Sequence, residues 1–423
     1  MRLMEIVVKE ALNVNIVDPN INIIEREIKK ELRKAGKRFL RETLKKMEQK
    51  ILSLEKTRMC ECGGRKESRG RVYRNIKSLV GEIEYKRVKL RCRDCGKASF
   101  PLDEQINLKP DKNATLGLIE QSLSLGVETA YDKASEIQEK LTGMYVSGRQ
   151  IQNWAKSEGE KVKEKIEKDR SEIFDNAGIP KVEEKRKRVF VQVDGTFVKE
   201  REHDRGIECK VGAIYSKKIK ESKDRFKILD KRTYASTESI DTFCENFIAE
   251  CNRWGVWEAD EILFVGDGAS WIEKMGRDYF PESVYLLDFW HLAKNIAKAL
   301  GKEHRRAAEN WTKEVKKTCE AKQLLRRIKS IYPHIRDPDR KEKIRNLYKY
   351  VNNNRKGIEN WRKVNCLGAS GVIEKTVDLT VCRRFKKRGM SWLTKGLTGL
   401  LALRLLKLNG EWNKYWREQG VPV

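Results

Sequence analysis

The sequence predicts a multidomain α/β protein in which helical segments surround one strand-rich region and one small β unit. Apolar residues recur at helical spacing in residues 20–56 and 112–170, which predicts helices there. Short apolar runs separated by turns and helical stretches fill residues 189–287, which predicts strands. Two cysteine pairs enclose a further β-rich stretch at residues 57–103. A chain of 423 residues also exceeds one ordinary core, so we expect roughly two to four domains.

Charge is the clearest compositional signal. Lys and Arg total 91 against 63 Asp and Glu, which gives a formal net charge of +28. This excess favours a polyanionic partner, because Lys and Arg that neutralise phosphates release bound counterions. A ribosomal, ribonuclease-like or membrane-surface protein remains the alternative that composition leaves open.

The sequence argues against a membrane-spanning or secreted protein. No apolar run approaches the roughly 20 residues that cross a bilayer. The N-terminal MRLMEIVVKEALNV carries acids inside its apolar run and has no small-residue cleavage site. Ten cysteines without a secretory signal indicate a reducing compartment, so we expect a cytoplasmic protein with metal-binding rather than disulfide-bonded cysteines.

Cys60, Cys62, Cys92 and Cys95 form two short pairs joined by the β-rich stretch. Four thiolates suit a structural Zn²⁺ ion, and Cys-x-x-Cys-Gly at 92–96 has the spacing of a metal-binding knuckle. A unit this small buries little core without a metal, so we expect zinc here. Reduced cysteines in a small β unit are the alternative.

Two helical segments are candidates for DNA contact. Residues 20–56 are interpreted as an amphipathic packing or dimerisation helix with a solvated charged face, and direct DNA contact is the alternative. Residues 113–160 predict successive helices, the last with Ser147 as a candidate N-cap. Its early turn is polar, as in a helix-turn-helix recognition helix, although a packing helix is also compatible. The polar residues are Arg149, Gln150, Gln152 and Asn153.

Two aspartates follow predicted strands. Asp194 ends VFVQVD before a Gly195-Thr196 turn, and Asp267 ends EILFVG between two glycines. Alternation predicts that the valines of VFVQV share one buried face, with Gln192 and Asp194 on the other. Acids at the carboxyl ends of strands lie where open α/β sheets bind ligands, and their oxygens suit Mg²⁺ or Mn²⁺. Asp-Gly is also a common turn dipeptide, so spacing alone leaves the choice open.

Four blocks of the sequence carry a family resemblance. VFVQVDGTFV, ILFVGDGASWI, LLDFWHL and GASGVIEKTVDLTVCRRFKKRGMSW occur in this order. They resemble the catalytic blocks of insertion-sequence transposases that have an RNase H-like DDE domain and are related to the Mutator transposases. The similarity is greatest to the bacterial and archaeal subgroup with a cysteine knuckle and a PLD segment before the catalytic domain, and it runs from about Cys60 to Trp416. The chain departs from that subgroup at Cys60-Glu61-Cys62, where two residues usually separate the cysteines.

The resemblance implies a catalytic triad of acids. Asp194 corresponds to the first acid, Asp267 to the second, and Glu374, on a helix after a mostly helical insertion, to the third. In these families the acids bind two Mg²⁺ or Mn²⁺ ions and activate water or a 3′-hydroxyl for strand transfer. Two ions about 4 Å apart can stabilise both the attacking and the leaving oxygens at phosphorus.

Two neighbouring motifs have secondary roles in this interpretation. Asp288 and His291 resemble the Cys/Asp-x-x-His motif of Mutator-like transposases, which implies an accessory role in orienting the site or contacting DNA. Two alternatives remain: His291 is a catalytic base, or Asp288 replaces Asp267 as a metal ligand. The basic run after Glu374 is expected to contact phosphates, with a solvated helix face as the alternative. It consists of Arg383, Arg384, Lys386, Lys387 and Arg388.

Together these observations predict six segments and one activity. The segments are 1–56, helical; 57–104, zinc-ribbon-like; 105–180, helix-turn-helix-like; 187–300, the first part of an RNase H-like domain; 301–365, a helical insertion; and 366–423, the third acid and C-terminal helices. We expect a nucleoid-associated prokaryotic transposase that binds terminal inverted repeats and target DNA as a homo-oligomer. An inactive DNA-binding derivative and another RNase H-like nuclease are the alternatives.

Overall fold

The computed structural model describes residues 20–175, 185–203, 205–222, 225–364 and 371–422. The described residues fall into two compact units, one up to Trp154 together with those from Asn413 onward, the other from Ala155 to Trp412. This division is coarser than the six predicted segments, which remain a prediction. No helix in the described part of the chain is long and apolar enough to cross a membrane.

The first unit contains a long helix and a small sheet. Helix α1 begins after Asn20, whose side chain accepts a hydrogen bond from the backbone N–H of Asn22 at 3.0 Å. Its C-terminal half buries Leu44 and Ile51 against the sheet, so the predicted packing role is confirmed for that half. The elements are α1 Ile21–Leu52, β1 Lys66–Ser78, β2 Gly81–Cys92, β3 Ala98–Ser99, α2 Pro101–Gln105, α3 Leu116–Gly126, α4 Tyr131–Thr142 and α5 Gly148–Phe174, the last of which continues into the second unit.

Buried polar contacts supplement the small apolar core of this unit. Asp103, in the PLD segment, is 5% exposed and accepts hydrogen bonds from Tyr85 at 3.0 Å and from Arg74. Glu48 of α1 is 1% exposed and accepts a hydrogen bond from the backbone N–H of Val88 at 2.6 Å. A buried carboxylate is tolerated only when it is paired in this way, so these contacts attach α1 and α2 to the hairpin.

The second unit is built on a five-stranded mixed sheet of order β6-β5-β4-β7-β8. The first three strands are antiparallel, and β4, β7 and β8 are parallel. The predicted strands and the helices between them are confirmed. The strands are β4 Arg188–Val198, β5 Ile207–Ser222, β6 Arg225–Ser236, β7 Glu261–Gly266 and β8 Val284–Leu287, with α6 Ile240–Trp254 and α7 Ser270–Tyr279 between them.

Helices cover both faces of this sheet. One face carries Val191 and Gly212 and packs against α6 through Phe247. The other carries Phe190 and Leu263 and packs against a large apolar cluster contributed mainly by the later helices. The helices after β8 are α8 Phe289–Leu300, α9 Arg305–Thr318, α10 Ala321–Ile331, α11 Pro338–Asn353, α12 Arg355–Glu359, α13 Val372–Val377, α14 Arg383–Phe385, α15 Thr394–Leu408 and α16 Trp412–Glu418. A π-helical turn at Asp378–Cys382 joins α13 to α14.

Candidate metal centres and nucleic-acid surfaces

Asp194 lies on the central strand of the sheet. The parallel pairing of β4 with β7 ends at Gln192 and Val265, whereas the antiparallel pairing with β5 continues to Val198. The predicted end of the strand at Asp194 is therefore wrong, because β5 is long enough to pair with the residues that follow. Asp194 lies just beyond the parallel part of the sheet, and its Oδ1 accepts the N–H of Gly195 at 2.7 Å.

Gln192 and the valines of VFVQV lie on opposite faces of this strand. The alternation of faces is as predicted, but Gln192 and the valines are all buried, since both faces of the sheet are covered by helices. The strand is buried from Val189 to Val193, and Asp194 is the first residue after them that is partly accessible.

Asp267 follows β7 directly, as predicted. Its Oδ1 accepts the N–H of Ala269 at 2.7 Å, and its carbonyl oxygen accepts the hydroxyl of Tyr350 on α11 at 2.7 Å. Gly268 between them has a φ of +87°, and a side chain there would collide with Tyr350 and Asn354. The turn that presents Asp267 is therefore held from behind by the helical insertion.

Asp288 follows β8 and begins α8. Its Oδ1 accepts the N–H of Trp290 at 2.8 Å, which caps the helix, and the residue is 1% exposed. His291 lies one turn later, with Nδ1 3.9 Å from Asp288 Oδ2. Burial lowers the pKa of His291, but the negative charges of the nearby Asp288 and Asp194 outweigh that effect and raise it.

Glu374 enters the same region from α13, where Ile373 and Val377 are buried. Its Oε1 is 3.5 Å from His291 Nδ1. Among the residues described, neither carboxylate oxygen of Glu374 has a hydrogen-bond partner, although both are buried. Burial, and then the charge of Asp288, raise the pKa of Glu374 to about 7.

His291 is the shared member of two overlapping groups. Asp194, Asp267 and His291 offer ligand atoms within 4.8 Å of one another, and so do Asp288, His291 and Glu374. Among the residues that the structure describes, the predicted trio of Asp194, Asp267 and Glu374 does not bring its ligand atoms within 4.8 Å of one another. The structure therefore brings all five residues into one region and gives Asp288 and His291 a more central position than expected.

The donor set of this region fits a divalent cation. It consists of carboxylate oxygens and one imidazole, and the two buried oxygens of Glu374 have no hydrogen-bond partner among the described residues. Burial raises the pKa of Asp194, and the charges of Asp267 and Asp288 raise it further. A bound cation would relieve this mutual repulsion between carboxylates.

Replacing Glu374 with Gln is expected to change the pH dependence of stability in the metal-free protein. Because the pKa of Glu374 rises from 4.5 to about 7 on folding, its stabilising contribution is complete below pH 4.5 and lost as the pH rises through about 7. Urea unfolding in EDTA should therefore show that the variant gains free energy of unfolding, relative to wild type, between about pH 5 and about pH 8. An equal difference in free energy of unfolding between variant and wild type at both pH values would contradict the raised pKa of Glu374.

The basic run after Glu374 divides into exposed and buried residues. Lys387 and Arg388 are exposed, Arg383 forms an ion pair with Asp378 at 3.0 Å, and Lys386 donates a hydrogen bond to the Thr196 hydroxyl. Arg384 is 1% exposed and lies over the ring of Trp392. Arg384 therefore has no surface to offer a phosphate in this structure, and the expectation for it is corrected to a packing role.

The four predicted cysteines form a single cluster. All four sulfur atoms lie within 4.8 Å of one another, with Cys60 3.7 Å from Cys95 and Cys62 3.6 Å from Cys92. The backbone N–H of Cys95 lowers the pKa of the Cys92 thiol to about 7, which favours the thiolate that a metal binds. The cluster could therefore hold Zn²⁺, even with one residue between Cys60 and Cys62.

The start of α5 is an exposed polar surface. Ser147 caps the helix as predicted, since its hydroxyl accepts the N–H of Gln150 at 3.2 Å. Gln150 is half-buried, whereas the other three predicted contact residues, Arg149, Gln152 and Asn153, are exposed. Helix α4 ends at Thr142, and Gly143 after it has the left-handed conformation. Helices α3 and α4 and this turn therefore precede the surface, in agreement with the successive helices that the sequence predicts.

Sequence reasoning missed two residues near the candidate centre. Tyr350 supports the Asp267 turn, and Lys231 of β6 donates a hydrogen bond to Thr376, in the helix of Glu374, at 2.6 Å. Burial lowers the pKa of Lys231 to about 8. Both residues lie far from the acids along the chain and within strongly charged segments, so the sequence alone does not distinguish them from their neighbours.

Sequence comparisons identify relatives of this chain. A model described as an uncharacterised protein family, UPF0236, matches residues 18–419. A UPF0236 protein of Caldanaerobacter subterraneus subsp. tengcongensis, whose name carries eleven locus designations, is 23% identical over 358 residues, or 81% of this chain and 70% of the relative. Another from that strain, with four locus designations, is 22% identical over 362 residues, or 81% of this chain and 70% of the relative. The chain belongs to the UPF0236 family.

Proposed function

We propose that this UPF0236 protein is a DNA transposase that binds the terminal inverted repeats of a mobile element and catalyses metal-dependent strand cleavage and transfer. In this proposal Asp194, Asp267 and Glu374 hold two Mg²⁺ or Mn²⁺ ions. Asp288 and His291 position the site, and the four-cysteine cluster holds a structural Zn²⁺ in a zinc-ribbon-like unit.

One observation carries the proposal: acidic residues from separate elements converge beyond the ends of parallel strands. Asp267 and Asp288 follow β7 and β8, Asp194 lies just past the parallel part of β4, and Glu374 arrives from α13. Burying several carboxylates near one another is unfavourable because of their repulsion and desolvation, unless they take up protons or bind a compensating charge. A cation-dependent reaction at phosphate supplies a reason for this arrangement.

The architecture of the second unit supports an RNase H-like catalytic domain. Three antiparallel strands continue into two parallel ones, with helices on both faces. The first proposed acid is on the central strand, and the helices α9–α12 separate the strands from the third acid. This order of acids and insertion is the one that the resemblance implies.

The relatives support a mobile element independently of the site. One relative carries eleven locus designations from a single strain, and another carries four. A protein encoded at many loci of one genome is what repeated copying of an element would leave behind.

The charge and the surfaces of the chain support a DNA substrate. The net charge of +28 favours a polyanion, and Arg149, Gln152 and Asn153 are placed to contact bases in a helix-turn-helix-like manner. Lys386, Lys387 and Arg388 lie on the segment that follows Glu374 and can hold a phosphate near the acids. A homo-oligomer is part of the proposal, because two element ends must be brought together.

The residues of the site divide the chemical work. Bound Mg²⁺ or Mn²⁺ would stabilise charge on the oxygens at phosphorus. Asp194, Asp267 and Glu374 supply the negative ligands, and the N–H groups of Gly195 and Ala269 fix two of these carboxylates. His291, next to Glu374, orients that carboxylate, and the buried Asp288 holds the imidazole in place.

Replacing Asp194 with Asn is expected to abolish cleavage while leaving DNA affinity within about twofold, because the side chain keeps its shape but loses its charge. The measurement is nicking of a duplex that carries the repeats flanking the gene, with Mg²⁺ or Mn²⁺, beside a binding titration. Wild-type binding should weaken steeply with salt.

Two outcomes would count against the proposal. Tight binding of the repeats without cleavage by the wild type under either metal would favour an inactive DNA-binding derivative. Loss of binding in the Asn variant would mean that Asp194 has a structural role.

A further inference from the structure

A basic groove lies in the first unit. Helix α1 lines it with Lys30, Arg33, Lys34 and Lys37, and its volume is about 200 Å³. The opposite wall is formed by the β1–β2 turn at Val80 and Gly81 and by the turn after α4, residues 142–144.

Two glycines allow the cations to approach the backbone. Gly81 has a φ of +126° and Gly143 a φ of +68°, so both turns favour glycine for their conformation. A side chain at Gly143 would also collide with the Arg33 guanidinium, and one at Gly81 would collide with Lys37. The groove is therefore formed by backbone on one side and by cationic side chains on the other.

The cations of the groove are available to an anion. Lys30 and Lys34 form exposed ion pairs with Glu27 at 3.2 Å and Glu31 at 2.7 Å, and such surface pairs contribute little. Within the described part of the chain, Arg33 and Lys37 have no acidic partner. The lining therefore keeps a positive charge that the described acidic side chains do not neutralise.

The spacing of these residues suits a phosphate backbone. Lys30, Arg33 and Lys37 follow one another along one side of α1 and span about 10 Å of helix. Because a strand of B-DNA winds round its axis, its phosphates are further apart along the backbone than their axial rise of about 3.4 Å, so this row can face about two phosphates. A single small anion would leave most of the row unused.

The groove also adjoins the proposed base-reading surface. Only Tyr145, Val146 and Ser147 separate Met144, in the groove wall, from the first residue of α5. A DNA backbone lying in the groove would bring neighbouring base edges towards Arg149 and Asn153, which are exposed on the first turns of that helix.

We propose that the groove between α1 and the turns at Gly81 and Gly143 holds the sugar–phosphate backbone of duplex DNA and sets the register of α5 on the bases. This inference rests on the proposed function, since it assumes that the chain binds DNA. Backbone contacts position a protein on the duplex and carry no sequence information themselves.

The test is the salt dependence of duplex binding by the full chain. Arg33→Gln with Lys37→Gln should lower the slope of log affinity against log salt by about 2 and weaken affinity at least about tenfold, for random duplex and repeat DNA alike. A matched double variant on the same helix, Lys45→Gln with Lys50→Gln, removes the same charge outside the groove and should keep the wild-type slope. The charge-conserving pair Arg33→Lys with Lys37→Arg should keep it too, which separates loss of charge from misfolding.

Four results would overturn the inference. Equal slopes for the two Gln pairs would show that the groove contributes only to net charge. The groove would be a small-anion site if inorganic phosphate binds it at matched ionic strength and the Gln variant of the groove keeps the wild-type salt dependence of DNA binding. If the wild type binds no duplex, the proposed function is contradicted as well. If the wild type binds duplex and the Gln variant of the groove binds it equally well, only this inference is contradicted.

Discussion

Glu374→Gln is expected to reduce metal-dependent DNA cleavage at least about 1000-fold, a loss of about 4 kcal/mol in transition-state stabilisation. Both carboxylate oxygens are buried without a hydrogen-bond partner among the described residues, so their charge has no evident use except towards a cation or His291. Gln keeps the shape of the side chain and removes that charge. Initial rates of nicking in Mg²⁺ or Mn²⁺ measure the loss, and calorimetric titration with Mn²⁺ alone should show weaker metal binding.

Asp378→Asn is the matched control for this variant. Asp378 lies one turn after Glu374, but its side chain is 40% exposed and pairs with Lys375 and Arg383. We expect cleavage within about threefold of wild type, since exposed ion pairs contribute little. Similar losses in both variants, or unchanged Mn²⁺ affinity in Glu374→Gln, would show that Glu374 is not a metal ligand.

Cys92→Ser is expected to release bound zinc and to unfold the sheet of β1–β3. Structural zinc contributes about 10–16 kcal/mol of binding free energy in small domains, which far exceeds what the few apolar residues of this unit can replace. Metal analysis should show zinc in the wild type and little in the variant. Hydrogen exchange should show loss of protection in β1 and β2, while the five-stranded sheet of the second unit stays protected.

Cys319→Ser provides the control, because Cys319 lies outside the cluster, at the end of α9. It should retain wild-type zinc content and exchange. Full protection of β1 and β2 in zinc-free protein would mean that the cysteines form a small β unit that is stable without metal.

Local patterns were sufficient for most of the elements. Short apolar runs predicted β4 to β8, and the spacing of cysteines predicted their cluster. Asp267 lies where the sequence indicates, because the end of a parallel strand is marked by Gly266 and Gly268 on either side of it. These features depend on neighbours within a few residues.

Features set by distant contacts were not predictable from such patterns. Asp194 is inside a strand only because β5 continues to pair past it, and nothing near Asp194 encodes the length of that partner. In the sequence Arg384 is one of the five basic residues that follow Glu374, but in the structure it lies over Trp392 and is buried. The central place of His291 likewise depends on α8 and α13 meeting, which the sequence does not specify locally.

The hydrogen bond from Tyr350 to Asp267 has a consequence for the order of assembly. It joins residues 83 positions apart, and Glu374 lies further still along the chain. Contacts of such long sequence separation form late, since the intervening chain must first be ordered. The sheet can therefore pair before the acids reach their final positions, and cation binding becomes a property that only a completely folded second unit acquires.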